Sequence, residues 1–190
     1  MNETSKCRQM RLERGDFEKY LFGAGIDIGA GHDPLMTPYG TVRPWDLSDG
    51  DAELLPNVPD NSYDFVYSSH SLEHMPSVER ALTNWIRVLK PNGFLYLVVP
   101  DYILYEKMMW PSVFNTDHLH SFSFLVTRPM TGRANHYHMQ NDLFPLLQSL
   151  GATVLRTEVE TLHFDFNKGA YDQTRNDALS QISLVAQKSR

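Results

Sequence analysis

Three kinds of chemistry-bearing residue stand out in the chain: a glycine turn behind an aspartate, a series of single carboxylates, and a crowd of histidines. The turn is GIDIGAG, residues 25–31, followed by His32, Asp33 and Pro34. Without Cβ atoms, Gly29 and Gly31 let a ligand approach the backbone around Ala30. Asp27 can accept from the turn's own amides or, through water, from a ligand ammonium. A pyrophosphate site would require a further glycine opening a helix. Pro34 occupies that place, so a ligand without pyrophosphate suits the turn better. Asp46, followed by Leu47, is placed to accept from both hydroxyls of a ribose, with Asp49 as its substitute if the strand register differs. Asp51 beside the small Ala52 can face an exocyclic amine and leave room for a flat base. Turn, sugar acid and base acid together describe an adenosine carrying an aminoacyl tail.

The histidines are grouped. His118 and His120 lie two apart in NTDHLHSFS, and so do His136 and His138 in NHYHMQND. In an extended chain each pair points to one face. Three readings stand: hydrogen-bonded loop histidines, a general base centred on His118 with Asp117 orienting it, or a divalent metal held by both pairs. Ser69 and His70 follow a strand end, which makes His70 a second candidate base. His74, in LEHM, reads as a helix-start residue.

The elements that must position these residues can be read from periodicity. Residues 2–22 read as an N-terminal helix or lid with Met10, Phe17, Tyr20 and Leu21 as its apolar positions. Strands are predicted at 24–28, 41–47, 61–70 and 94–100, and two more at 152–160 and 181–187. The clearest helix is 76–90, with Val78, Ala81, Leu82, Trp85 and Leu89 on one stripe. A shorter helix is predicted over 141–151, capped by Asn141 and stopped by Gly151. Pro34, Pro38 and Gly40 leave no room for a helix after the glycine turn. Strands alternating with helices imply an α/β sheet, in which ligands sit beyond the carboxyl ends of the strands. Asp27 to Gly31, Asp46, Ser69-His70 and Pro100-Asp101 all fall at such ends.

Composition narrows the classes further. The chain has 190 residues, which suits one domain. A net charge of −6 argues against a broad phosphate-binding face, so nucleic acid is not the expected partner. Cys7 is the only cysteine, which excludes an intramolecular disulfide and a cysteine-built metal centre. The polar start is unlike a signal peptide and no apolar run reaches a membrane span's length, so the expected compartment is the cytoplasm.

The stretches GIDIGAG (25–31), WDLSDGDAELLP (45–56), NSYDFVYSSHSLEHM (61–75) and WIRVLKPNGFLYLVVPD (85–101) resemble class I S-adenosylmethionine-dependent methyltransferases. VRPWDLSDGDA and WPSVFNTDHLHSF add a looser likeness to the compact members encoded among surface-polysaccharide enzymes. The resemblance implies a Rossmann-like, mostly parallel twisted sheet with an antiparallel C-terminal strand and helices on both faces, reduced on the side of strands 2 and 3. It implies one domain over 1–190, with 1–22 as lid and 102–140 as an acceptor-side insertion. It implies S-adenosylmethionine as cofactor, leaving as S-adenosylhomocysteine. Gly29, Ala30 and Gly31, supported by Asp27, match the methionine site, and Asp46 and Leu47 the ribose site. Asp51 and Ala52 match the adenine contacts, and Ser69 and His70 the segment under the methyl donor. The reading that follows is O-methylation of a saccharide or small polar metabolite, such as a nucleotide sugar or glycan. The alternatives are a non-catalytic S-adenosylmethionine-binding module and N- or C-methylation of a small molecule. No metal is assigned, and self-association stays open.

Overall fold

The apolar runs pair into one six-stranded sheet in the computed structural model, which describes residues 3–127, 135–169 and 171–190. In chain order the strands are β1 (Gly23–Ile28), β2 (Gly40–Trp45), β3 (Tyr63–Ser69), β4 (Leu89–Pro100), β5 (Ser121–Ser123), β6 (His136–His138), β7 (Ala152–Glu160) and β8 (Gln181–Lys188). The helices are α1 (Glu3–Lys6), α2 (Arg8–Arg14), α3 (Asp16–Lys19), α4 (Val78–Val88) and α5 (Phe144–Ser149). The sheet runs β2-β1-β3-β4-β8-β7, with β5 and β6 forming a small sheet of their own. The pairs among β1 to β4 are parallel, whereas β8 is antiparallel to both β4 and β7. β2 is the sheet edge, so the side reduced in the sequence reading is reduced in the fold. From β1 the chain goes first to β2 on one side and then to β3 on the other. The switch point therefore lies at the carboxyl ends of β1 and β3, where ligands bind in such sheets.

Alternation along the strands builds two cores. Ile26, Ile28, Val66, Leu95, Leu97 and Val99 face α4 and α5, meeting Trp85, Ile86, Val88 and Leu147. The intervening Phe65, Tyr67, Tyr96 and Val98 face the N-terminal helices through Phe17 and Leu21. The helix stripe predicted from sequence is the buried one, and Trp85 is completely enclosed. Truncating such a side chain to alanine costs about 3–5 kcal/mol. Ser77 caps α4 by accepting from the Arg80 N–H at 3.2 Å, so Pro76 lies just ahead of the helix.

Two elements differ from expectation. The N-terminal segment is three short helices and not one, because Gly15 takes a left-handed φ of 69° between α2 and α3. Its Phe17 and Leu21 are buried as predicted, and so is Arg11, which lies over the rings of Tyr67 and Tyr96 at 5.0 and 5.6 Å. The helix predicted over 141–151 is not capped by Asn141. His138 caps a π-helical turn (Met139–Leu143), its Nδ1 accepting from the Asn141 N–H at 3.2 Å. α5 then starts afresh around Pro145, whose missing N–H fits only a first turn. Of the expected insertion, residues 128–134 lie outside the described residues, as do residues 1, 2 and 170.

Candidate active site

The glycine turn leaves β1 beside the end of β2. Trp45, opposite Ile28 in the register, accepts from the N–H groups of Gly29 and Ala30 at 2.9 and 3.3 Å. Gly29 and Gly31 both hold positive φ, 77° and 52°. A Cβ on Gly29 would stand 1.8 Å from Ser71 Oγ, so no side chain fits. A Cβ on Gly31, which borders the cavity, would meet nothing within 4 Å. Asp27 does not serve the turn's own amides. Its carboxylate accepts from the Leu35 N–H at 2.7 Å, fastening the segment that leaves the turn. Pro34 keeps that segment out of a helix, so the Leu35 amide has no helical acceptor and takes a buried carboxylate instead. Burial pushes the Asp27 carboxyl up to about 7, against the opposing pull of that N–H.

At the tip of β2, Asp46 and Asp49 are differently engaged. Asp49 Oδ2 accepts from the Asp46 N–H at 3.0 Å, and its Oδ1 lies 3.9 Å from Arg43. Asp46 accepts only from its neighbour, the Leu47 N–H, through Oδ1 at 2.8 Å. Leu47 itself is 92% exposed. Asp51 Oδ1 accepts from the N–H groups of Glu53 and Leu54, which turns its own loop. Ala52 is half-buried, and its carbonyl receives the Trp85 indole N–H at 2.8 Å. Asp46, Leu47, Asp49, Asp51 and Ala52 all stand outside the walls of the main cavity.

That cavity, about 290 Å³, runs from Gly29, Ala30 and Gly31 past Ser69 and His70 to Glu73, His74 and His118. Glu3 and Thr4 of the N-terminal segment also border it, and Ser5 N–H donates at 2.8 Å to Oδ2 of Asp33, a residue of its wall. At the far end His118 is buried and its Nδ1 lies 2.6 Å from Glu106 Oε1. A carboxylate can only accept there, so a proton sits on Nδ1, and the neutral imidazole carries its lone pair on Nε2. His74 Nδ1 likewise donates to the carbonyl of Asp117 at 3.0 Å. His70, at a left-handed φ of 54°, contacts Gln181 Oε1 through Nε2 at 2.9 Å. The Gln181 amide nitrogen gives its protons to Cys7 and Glu160, so its oxygen is the acceptor and His70 carries its proton on Nε2. Tyr105 packs on the His118 ring with centroids 5.4 Å apart and meets Phe114 edge-on. The insertion therefore contributes both to this wall and, through the fully buried Phe122, to the core.

Several sequence expectations are corrected here. Asp117 is exposed and reaches a histidine only through its backbone carbonyl; Glu106 is the carboxylate that orients His118. The two histidine pairs do not converge on one point. His120 bonds the Met75 carbonyl, His136 bonds Ser121 and the Val126 carbonyl, and His138 caps its turn. Burial holds the imidazoles of His120 and His136 below the ordinary histidine range, which favours their neutral, hydrogen-bonded form. The cluster that does form joins Glu73, His74 and His118. Glu106 carried no signal of its own in the sequence, and Glu73 only its place in the SLEHM stretch. Their only hint was position, one beside His74 and the other in the aromatic insertion.

Residues 24–97 match a family model described as a methyltransferase domain. The matched stretch, from β1 to β4, is that of a methyltransferase domain, and it spans the part of the chain that resembles the S-adenosylmethionine-dependent class. The fold agrees with solved structures of that kind. A SAM-dependent methyltransferase from Archaeoglobus fulgidus is 15% identical, with a TM-score of 0.56 over 99% of this chain and 95% of that one. A candidate sarcosine dimethylglycine methyltransferase from Galdieria sulphuraria is 16% identical, with a TM-score of 0.59 over 95% and 84% of the two chains. A Thermotoga maritima methyltransferase, with histamine N-methylation suggested for it, is 18% identical, with a TM-score of 0.54 and full coverage of both chains. No curated protein matches the chain. S-adenosylmethionine is the cofactor of this class, and the glycine turn has the form such a ligand needs, backbone without side chains at Gly29 and Gly31 in the cavity wall. No helix among the described residues is long and apolar enough to cross a membrane.

Proposed function

We propose that the protein transfers a methyl group to a hydroxyl of a small polar acceptor, of the saccharide or nucleotide-sugar kind, with His118 as the group that receives the hydroxyl. One observation carries this reading: a single cavity joins the glycine turn to an imidazole whose Nδ1 is held by Glu106, which leaves the lone pair on Nε2. Bound S-adenosylmethionine supplies an electrophilic methyl on a sulfonium. The chain supplies alignment and a route for the acceptor's proton. Gly29, Ala30 and Gly31 bind the methionine end, with Asp27 fixing the chain beyond them. Asp46 is the ribose acid and not Asp49, whose carboxylate is already engaged by the Asp46 amide and Arg43. Leu47, Asp51 and Ala52 border the adenine, and Ser69 and His70 lie beneath the donor. Residues 1–22 act as a cover, through the contacts of Glu3, Thr4 and Ser5 at the cavity wall.

The reading is tested by mixing the protein with S-adenosylmethionine and a panel of nucleotide sugars and following S-adenosylhomocysteine. Acceptor-dependent product is expected, and its loss in His118→Asn with donor binding retained. Turnover unchanged in that variant would sink the assignment. A second reading, N-methylation of a small amine, draws on Glu3 and Glu73 in the cavity wall, which suit a cationic acceptor. Amines belong in the same panel.

A further inference from the structure

The polar end of the cavity holds more lone pairs than one proton acceptor needs. His118 and His74 both carry their protons on Nδ1, committed outward to Glu106 and to the Asp117 carbonyl. Their Nε2 atoms each lie 3.9 Å from Glu73 Oε1. His70 flanks the same oxygen through Nδ1 at 3.7 Å, its proton also directed outward. Glu73 is completely buried, and neither of its carboxylate oxygens has a hydrogen-bond partner. A buried carboxylate without a donor is costly. Three imidazoles surround it and none is within hydrogen-bond distance. Acceptors converging without a donor make a site for a cation.

We propose that Glu73, His74 and His118 bind a divalent transition-metal ion, of the zinc type, at the acceptor end of the cavity. Two imidazoles and one carboxylate, with a position left for water or substrate, are a donor set used by catalytic zinc. Ligands of one tetrahedral zinc stand about 3.3–3.5 Å apart, given bonds of about 2.0–2.1 Å. The three ligand atoms lie within 4.8 Å of one another, which side-chain shifts of about 1 Å close to that spacing. The outer contacts are also those of metal-bound histidine, whose second nitrogen donates to a carboxylate or a backbone carbonyl. Glu106 and the Asp117 carbonyl fill these two roles.

The inference rests on the reading of this end as the acceptor site and deepens it. An acceptor hydroxyl bound to the ion becomes more acidic. Its O–H bond breaks, the proton passes to solvent water, and the electron pair stays on the oxygen facing the donor. His118 then serves as a ligand and no longer as the proton's first stop.

The test is binding of the ion itself. The full chain, stripped with chelator, is titrated with Zn²⁺ by calorimetry and with Co²⁺ by visible absorption. One ion per chain is expected, with cobalt bands of low-coordinate type. Glu73→Gln and His74→Asn should each weaken binding at least ten-fold. Absence of stoichiometric binding by the unaltered protein overturns the proposal, and so does binding that survives both substitutions. Methyl transfer at full rate by chelator-stripped protein overturns the role given to the ion and returns the proton to His118. Stoichiometric binding that both substitutions weaken, without methyl transfer to any acceptor, supports the site and counts against the function proposed above.

Discussion

The two ends of the cavity are made differently. The end proposed for the donor is backbone: a turn with two left-handed glycines, fixed by the Trp45 carbonyl and, beyond it, by Asp27. The end proposed for the acceptor is side chain: Glu73 and His74 from the turn after β3, Glu106 and His118 from the segment after β4. A backbone cradle suits a cofactor that never changes and can be written in a few adjacent letters. A side-chain wall drawn from distant segments can be altered residue by residue to change the acceptor. Conformation therefore protects one end, and electrostatics the other.

Substitutions should separate the two ends. The largest effect is expected at the acceptor end. His118→Asn should lower the methylation rate by about 10²–10⁴-fold, whether the imidazole takes the acceptor's proton or holds the ion that acidifies the hydroxyl. Calorimetry should show S-adenosylmethionine affinity within about two-fold of the parent. A parallel loss of donor affinity would erase the division between the ends. Gly29→Ala should do the opposite. With a Cβ 1.8 Å from Ser71 Oγ and φ at 77°, the turn must move, costing about 2–4 kcal/mol in chemical denaturation and most of the donor binding. Gly31→Ala, with open space and only the strain of its φ, should cost about 1–2 kcal/mol.

The buried acids behind the donor end give a pH test. Asp27 is raised to about 7 and Asp101 to about 6, both chiefly by burial. A carboxyl raised on folding holds its proton more tightly in the native state. Its contribution is therefore complete below about pH 4 and is lost as pH climbs through 6 and 7, on the order of a few kcal/mol for the pair. Asp27→Asn keeps an acceptor for the Leu35 N–H and removes the charge. Its melting temperature at pH 8 should exceed the parent's by roughly 4–8 °C, and the two should converge near pH 4. Identical pH profiles would show that Asp27 is not the group responsible.

Smaller effects are expected at the rim. Asp46→Asn should weaken donor binding about ten-fold, and Asp49→Asn by less, in the same calorimetric titration. Equal losses would return the ribose to either acid. Leu47→Ser, at a side chain 92% exposed, should change affinity by at most about three-fold.

How much of this could be read in advance depends on the range of the interaction. The alternating apolar runs gave β1, β3 and β4, and the stripe of α4 was the buried one, because burial imposes its period on neighbouring letters. The break at Gly15 and the restart at Pro145 were less legible, since local propensity there competes with docking against the sheet. Among site residues, the glycine turn was visible because its chemistry is local. The partner of His118 was not: Asp117, next in sequence, turns its carboxylate away, whereas Glu106 comes from twelve residues earlier.

The chain by itself determined the order of strands and helices, the glycine turn and the acids that follow the strands. These rest on steric rules and hydrophobic periods that act between near neighbours. Only the tertiary structure decided that Asp27 would hold Leu35, that Asp49 would be engaged and Asp46 freer, and that Glu73 would be buried among three imidazoles. Side-chain pairing across the switch point depends on how the loops after β3 and β4 pack together. No local pattern of residues encodes that packing.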